Sequence, residues 1–135
     1  MGKKCTLFCD IDGTLFKYRE FTEYKNILPT AISTTITTIN KTYDGGHYIV
    51  LTTARPEYLR MHTIYELDYA RIKYHQLIMG IGRGPRILIN DNKEKYIDRA
   101  FAFNLERDVG LNTQDISNIN HTLKFKENLR AEHLP

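Results

Sequence analysis

Two aspartates two residues apart, Asp10 and Asp12, follow the short apolar run Cys5 to Cys9 and lead into Gly13-Thr14-Leu15. Carboxylates crowded together repel, so such a cluster needs a cation to be tolerable. Oxygen ligands with no cysteine or histidine favour a hard ion, and magnesium typically takes one or two carboxylates plus water and substrate phosphate. A carboxylate can also act as a nucleophile toward phosphorus through an aspartyl-phosphate. Three later stretches carry compatible side chains. Thr53-Ala54-Arg55 follows the apolar run His47 to Leu51, Arg83 lies in the glycine-rich run from Gly80 to Pro85, and Asn90-Asp91 follow Arg86 to Ile89. A hydroxyl and the fixed fork of an arginine suit phosphoryl oxygens. By composition this is a magnesium and phosphate site.

The elements that must position these residues alternate. Strands are expected at Cys5–Cys9, His47–Leu51, Tyr74–Met79 and Arg86–Ile89, with a fifth at Ala100–Leu105. Between the first two, Phe16 to Leu28 is mixed aromatic and charged and reads as an ordered loop or hairpin. Pro29 then opens a segment in which Ile32, Ile36, Ile39 and Tyr43 recur at helical spacing, a period that outweighs the strand propensity of its threonines. Asp44-Gly45-Gly46 closes it with turn chemistry. Pro56 opens a second helix with Glu57 in its first turn and Leu59, Thr63, Ile64, Leu67 and Ala70 on one half. The tail after Asp115 is polar, with a frayed helix as its expected form. Strands alternating with helices predict an α/β fold: a single Rossmann-like domain with a mostly parallel sheet and helices on both faces. Ligands bind such sheets at the carboxyl ends of the strands, which is where the aspartates, Thr53 and Arg55, and Asn90-Asp91 fall.

Composition narrows the function classes. The chain has 135 residues, 41% hydrophobic and 26% charged, a single domain with enough apolar residues for a core. No uninterrupted apolar run approaches the roughly 20 residues of a membrane span. The five or six mostly apolar residues before Asp10 are too few for a signal-peptide core, so a cytoplasmic location is expected. The net charge of +3 is compatible with a phosphate-bearing partner but below that of most dedicated nucleic-acid-binding domains. Cys5 and Cys9 lie too far apart on an extended chain to bridge easily and read as reduced thiols. The histidines at 47, 62, 75, 121 and 133 show neither HxH nor HExxH spacing, which argues against zinc. Gly80, Gly82 and Gly84 do not make a dinucleotide fingerprint, because Pro85 stands where the last glycine belongs and a strand follows.

Asp10-Ile11-Asp12-Gly13-Thr14-Leu15 resembles the first signature, DxDGTL, of the haloacid dehalogenase (HAD) superfamily of phosphohydrolases. Thr53-Ala54-Arg55 is similar to its second motif, Arg83 stands near the basic third, and Ile89-Asn90-Asp91 resembles the acidic fourth. The resemblance covers residues 5 to 105. It implies that Asp10 is nucleophile and magnesium ligand. Asp12 would be general acid and then base, binding the metal through its backbone carbonyl. Thr53 and Ala54 would hold the phosphoryl group, Gly13 and the N–H groups after Asp10 would cradle its oxygens, Arg83 would stabilise charge, and Asp91 would complete the metal site. The third motif is usually lysine; here Arg83, Arg86 and Lys73 are the alternatives, with Arg83 preferred for its glycine neighbours. Asn90 stands where the fourth motif often has an aspartate.

The intervals leave no room for a cap domain: 41 positions separate Asp12 from Thr53 and 30 separate Thr53 from Arg83. The expected organisation is one domain over 1–135, with a flap at about 13–28, a core at about 5–105 and a C-terminal tail at about 106–135. The implied activity is hydrolysis of a phosphate monoester on a small phosphorylated metabolite, a sugar phosphate or nucleotide. A polynucleotide end is the alternative substrate, and a non-catalytic phosphoacceptor or binding domain the alternative of another class. The flap aromatics Phe16, Tyr18, Phe21 and Tyr24 either close the site in a homo-oligomer or fold back on their own domain, while Lys17, Arg19 and Lys25 are placed to meet an anionic substrate. Arg55 reads equally well as a phosphate contact or a structural ion-pair residue, and tyrosines 18, 24, 58, 65 and 69 read as core or interface, with base stacking as the alternative.

Overall fold

The computed structural model describes residues 4–132, with side chains described through residue 124. Three strands, β1 (Thr6–Asp10), β2 (Tyr48–Thr52) and β3 (Gln76–Ile78), form one parallel sheet in the order β1-β2-β3. Helix α1 (Ser33–Asp44) crosses from β1 to β2, and α2 (Arg60–Tyr69), preceded by a 3-10 turn at Glu57–Leu59, crosses from β2 to β3. A third helix, α3 (Thr113–Glu132), occupies the expected tail. No helix among the described residues is long and apolar enough to cross a membrane.

The central strand β2 buries Ile49, Val50 and Leu51 in succession, the continuous apolar run of a strand flanked on both edges. Cys9, Ile49 and Leu51 join Ile36 and Ile39 of α1 and Leu67 of α2 in a single core cluster. The two crossovers therefore pack on the same side, as successive right-handed crossovers do when strands are added in one direction. On the face out of phase with this cluster, Val50 of the central strand is buried, while Phe8 beside it and Ile78 are 58% and 41% exposed.

Helix α1 forms despite five threonines and β-branched neighbours because threonines along it satisfy themselves locally. Thr38 donates its hydroxyl to the Thr34 carbonyl at 3.0 Å and Thr42 to the Thr38 carbonyl at 2.8 Å, both one turn back. Thr35, Thr38 and Thr42 can thus be buried beside Ile36 and Ile39. The Thr35 hydroxyl instead accepts the Leu111 N–H, which ties the chain before α3 to the core.

Two expected strands are absent. Residues 80–106 carry no strand or helix, and Ile87, Leu88 and Ile89 are 86%, 62% and 93% exposed. The apolar run Ile87-Leu88-Ile89 has the composition of a strand, but a strand exists only where a ladder partner takes its N–H and C=O groups. Gly84 and Pro85 deliver this run to no such edge, and Pro85 has no N–H to give. Cys9 is buried and Cys5 half-buried, and both are free thiols. Burial, helped by Asp10, pushes the Cys9 thiol up to about 12.

The turn into α3 closes against α1 at Gly110, whose φ of +82° suits only glycine. A Cβ there would overlap the Ile32 Cγ2 and lie 2.8 Å from the Thr34 hydroxyl. Gly110→Ala is expected to cost more than about 2 kcal/mol, from left-handed strain and overpacking together. Urea unfolding at neutral pH measures it, and a loss below about 0.5 kcal/mol would show that this turn does not hold the tail to the core.

Candidate active site

The register sets Asp10 beside Thr52 and Thr52 beside Ile78, so the chain leaves all three strands at one edge of the sheet. Asp10 is half-buried there. Thr14 Oγ1 donates to its Oδ2 at 3.3 Å, and the Ile11 N–H also donates to its carboxylate. Burial raises the Asp10 pKa above the ordinary aspartate value of 3.8, and Asp12 adds to the rise. The Ile11 N–H, the Thr14 hydroxyl and the charge of Arg86 only partly offset them.

Asp12 is held by a two-pronged arginine. Arg55 Nη2 lies 2.8 Å from Asp12 Oδ1 and Arg55 Nε 2.9 Å from Oδ2, the fork-to-fork geometry that fixes a carboxylate's plane as well as its position. The Tyr24 hydroxyl donates to the same Oδ2 at 3.2 Å. Burial and the neighbouring Asp12 push that phenol up to about 12, so it stays a donor.

Arg55 is in turn gripped from behind. Its Nη1 donates to Glu66 Oε1 at 2.8 Å and to the Thr63 hydroxyl at 3.1 Å, and its guanidinium lies 4.3 Å from the Tyr24 ring centroid. Burial opposes its charge, but Asp12 and Glu66 outweigh that and raise its pKa. Glu66 takes a second fork from Arg19, with Nη1 and Nη2 each at 2.8 Å, and His62 Nε2 lies 3.2 Å from its other oxygen. Burial alone would raise the Glu66 pKa, yet the hydrogen bonds from Arg19 and Arg55 hold it below 4.5. A chain of side chains, Asp12–Arg55–Glu66–Arg19, thus joins the end of β1 to the segment after β2, to α2 and to the flap.

Of the flap residues, Phe16 and Tyr24 fold onto their own domain and are buried, whereas Phe21 stays exposed. The expectation that Arg19 meets an anionic substrate is corrected. It is 5% exposed, spent on Glu66 and on the Ile27 carbonyl at 2.7 Å. Tyr58, Tyr65 and Tyr69, expected in the core or an interface, are 70%, 66% and 72% exposed on the outer side of the α2 segment.

Thr53, fully buried, accepts the Arg55 N–H on its hydroxyl at 3.1 Å, which leaves the hydroxyl proton for an acceptor. Ala54 is half-buried between them. Gly13, at φ +87°, closes the turn after β1 by donating to the Phe16 carbonyl at 2.6 Å, and Thr14 donates to the Ile11 carbonyl. The Gly13 and Thr14 N–H groups, among those expected to cradle oxygens, are therefore engaged within the turn. The same turn is held from outside by the Asp108 N–H on the Gly13 carbonyl and by Asp108 Oδ1 accepting the Tyr18 N–H. Arg107 packs its stem against Gly13 and stacks its guanidinium 4.1 Å from the Tyr18 ring centroid.

Among the alternatives for the basic residue, the charge of Arg86 acts on Asp10, while Arg83 is exposed and makes no contact with the aspartates. Arg86 Nη1 is wrapped by the carbonyls of Gly82, at 2.7 Å, and Gly84. Asn90 donates to the Asp91 carbonyl, and both residues are exposed within 80–106. Asp91 is not gathered with Asp10 and Asp12: among the described residues no three His, Cys, Asp or Glu side chains come together as a metal site. The donors at the end of β1 nonetheless suit a hard cation. Asp10 supplies carboxylate oxygen in a half-buried position where its ionised form is penalised, and magnesium completes its shell with water and substrate oxygen.

Sequence reasoning missed Glu66 and Asp108 as parts of the site. Glu66 had a signal: it stands seven residues after Leu59, three after Thr63 and four before Ala70, hence on the apolar side of α2.

Solved structures share the fold. The chain aligns to one in the Pnkp1/Rnl/Hen1 complex at 22% identity and TM-score 0.52, covering 67% of this chain and 31% of that one. A structure of the Pnkp1/Rnl/Hen1 RNA repair complex aligns at 21% and 0.51, over 62% and 27%. The chain thus spans under a third of the length of these two chains. A conserved protein from Bacteroides thetaiotaomicron aligns at 16% identity and TM-score 0.51 over 98% of this chain and 100% of its own. No curated protein sequence matches significantly. The profile of haloacid dehalogenase-like hydrolases matches residues 7–106, from the second residue of β1 through the irregular segment that carries Arg86 and Asp91. The intervals between the aspartate pair, Thr53 and Arg86 hold only the flap, α1, α2 and the strands, so the chain belongs to the haloacid dehalogenase-like hydrolases and is of the capless type.

Proposed function

We propose that this chain is a magnesium-dependent phosphomonoester hydrolase working through an aspartyl-phosphate. The observation that carries the reading is the half-buried Asp10 at the end of β1, two residues from an Asp12 whose carboxylate is oriented by Arg55, with Thr53 following the neighbouring strand. An Asp10 oxygen attacks phosphorus as the bond to the leaving oxygen breaks, and Asp12 gives that oxygen its proton. Water then attacks the phosphorus of the aspartyl-phosphate, Asp12 takes the proton, and inorganic phosphate leaves with Asp10 restored. Thr53 donates its hydroxyl proton to a non-bridging oxygen, and Arg86 offsets the charge that builds on Asp10 and the phosphoryl group. Asp10 and the Asp12 main-chain oxygen would hold magnesium, which would neutralise phosphoryl charge.

The substrate is a small phosphorylated metabolite, a sugar phosphate or a nucleotide. The likeness to chains of an RNA repair complex supports a phosphorylated nucleic-acid end as the second reading. Assay of the purified chain against phosphorylated metabolites, with magnesium and with EDTA, tests the reading. Turnover that needs no divalent ion, or none on any monoester, would overturn it.

Asp12→Asn separates the roles of the two aspartates. It is expected to lower turnover of an alkyl phosphate by about 10²–10⁴-fold, the usual worth of general acid–base catalysis. For an aryl phosphate with an acidic phenol, burst-phase kinetics should show phosphoenzyme forming at a less impaired rate and then persisting. Equal losses in both half-reactions for both leaving groups would reduce Asp12 to a positioning group.

A further inference from the structure

A cavity of about 310 Å³ opens between the flap and the start of α2, one side chain away from Asp12. Phe21, Tyr24, Tyr58 and Leu59 wall it, and Lys25 and Asn26 supply polar groups. Tyr24 connects the two places: its ring lines the cavity while its hydroxyl holds Asp12 Oδ2. That ring is fixed, packed in a small cluster with Leu59 and Met79, stacked on the Arg55 guanidinium and anchored by His62 on its main-chain carbonyl at 2.8 Å.

The three aromatic rings meet edge to face. Phe21 and Tyr24 have centroids 6.1 Å apart at 66°, and Phe21 and Tyr58 6.2 Å apart at 84°. Tyr24 is buried beneath the Arg55 and Arg19 guanidinium groups, so the open ring faces are those of Phe21 and Tyr58, 39% and 70% exposed. The rings come from two elements, a 3-10 turn of the flap and the turn that follows Pro56, so the open faces are set by the fold. The lining includes one cation, Lys25, and no anion, which suits a ligand carrying phosphate.

We infer that this cavity is the leaving-group subsite and takes a nucleobase joined through its sugar to the phosphate that Asp10 attacks. A nucleobase matches each feature. It has two π-faces for the open rings of Phe21 and Tyr58 and hydrogen-bonding edges for Asn26 and Thr22, and Tyr24, which lines the cavity and donates to Asp12, places the cavity beside the aspartates. A sugar phosphate alone fills the phosphate end and leaves the rings exposed. Base–aromatic stacking is tolerant of base identity, so purines and pyrimidines should both bind, purines better. The inference rests on the phosphatase reading for what is cleaved, but not for what is bound.

The test compares adenosine 5′-monophosphate, a 5′-phosphorylated trinucleotide and ribose 5-phosphate, by kcat/KM and, independently of turnover, by calorimetric binding of each in EDTA. Both base-bearing compounds should exceed ribose 5-phosphate by tenfold or more in kcat/KM and in affinity. Tyr58→Ala should lower the ratio of adenosine monophosphate to ribose 5-phosphate about tenfold, and Tyr58→Phe, which keeps the ring, should restore it. A trinucleotide that outperforms the mononucleotide, with the gain reduced by Tyr65→Ala, marks a strand end as the source of the base; equal performance marks a free nucleotide. Absence of turnover on every compound, with the binding preference intact, would sink the phosphatase reading and leave the subsite standing. Equal binding of adenosine monophosphate and ribose 5-phosphate, a ratio unmoved by Tyr58→Ala, or a concentration-dependent dimer abolished by Tyr58→Ala that buries the rings would overturn the subsite.

Discussion

Asp10→Asn is expected to abolish turnover and at the same time to make the protein more stable. An amide is a poor nucleophile and a weaker ligand for a hard cation, yet it keeps the size of the side chain and can still accept from Thr14. The stability gain follows from the pKa. Burial, with Asp12 nearby, raises Asp10 above 3.8 in the folded chain, so at neutral pH its charge is held at a cost absent from the unfolded chain. A raised folded pKa means the folded state takes up its proton first as pH falls. The cost is therefore full well above the folded value and disappears on acidification toward 3.8. Asparagine carries no such charge at any pH. The variant should melt higher than wild type at pH 7, with the difference closing near pH 4. Calorimetry at the two pH values, beside a phosphatase assay limited to less than about 10⁻³ of wild type, checks both halves. Residual turnover above that limit would remove Asp10 as nucleophile. A melting point lowered at pH 7 would show that the carboxylate does structural work instead.

What could be read from the sequence follows from local signals. Asp10 and Asp12 sit at the end of an apolar run, the run at 47–51 ends at Thr53, and Ile36 and Ile39 share a helical face. Each statement depends only on residues a few positions apart, and each element exists in the structure close to where the pattern puts it. The segment 86–89 shows the opposite case. Its apolar letters are those of a strand, but whether it becomes one depends on an edge elsewhere in the chain, which no window of the sequence contains. The charged network was hidden for a related reason. Arg19 and Glu66 look like solvated charges, and Arg55 stays open between a phosphate contact and an ion pair, until three distant segments meet; Glu66, in phase with Leu59, Thr63 and Ala70, carried a signal of its buried side in advance.

Glu66→Gln is expected to be strongly destabilising for so conservative a change. Glu66 is 3% exposed and accepts from two arginines that are themselves 5% and 2% exposed. Removing one member of a buried ion pair strands the other charge, at roughly 3–5 kcal/mol. Arg55 keeps Asp12 and Arg19 keeps the Ile27 carbonyl, so the lower end of that range, about 3 kcal/mol at pH 7, is the expected loss in urea unfolding. The pH dependence has a definite sign. Although burial works the other way, the two arginines hold the folded pKa of Glu66 below 4.5, so its contribution is fully present above 4.5 and is lost as pH falls through the folded value. The gap between wild type and variant should stay constant from pH 7 to about 5 and narrow below it. Loss of activity should accompany loss of stability, because Arg55, no longer gripped at Nη1, orients Asp12 less tightly, and the flap loses its Arg19 anchor. Combining Glu66→Gln with Arg19→Met should cost less than the sum of the separate changes, since both remove the same interaction. Strict additivity, or a gap that widens on acidification, would mean that Glu66 is not the shared counter-charge that fastens the flap and Asp12 together.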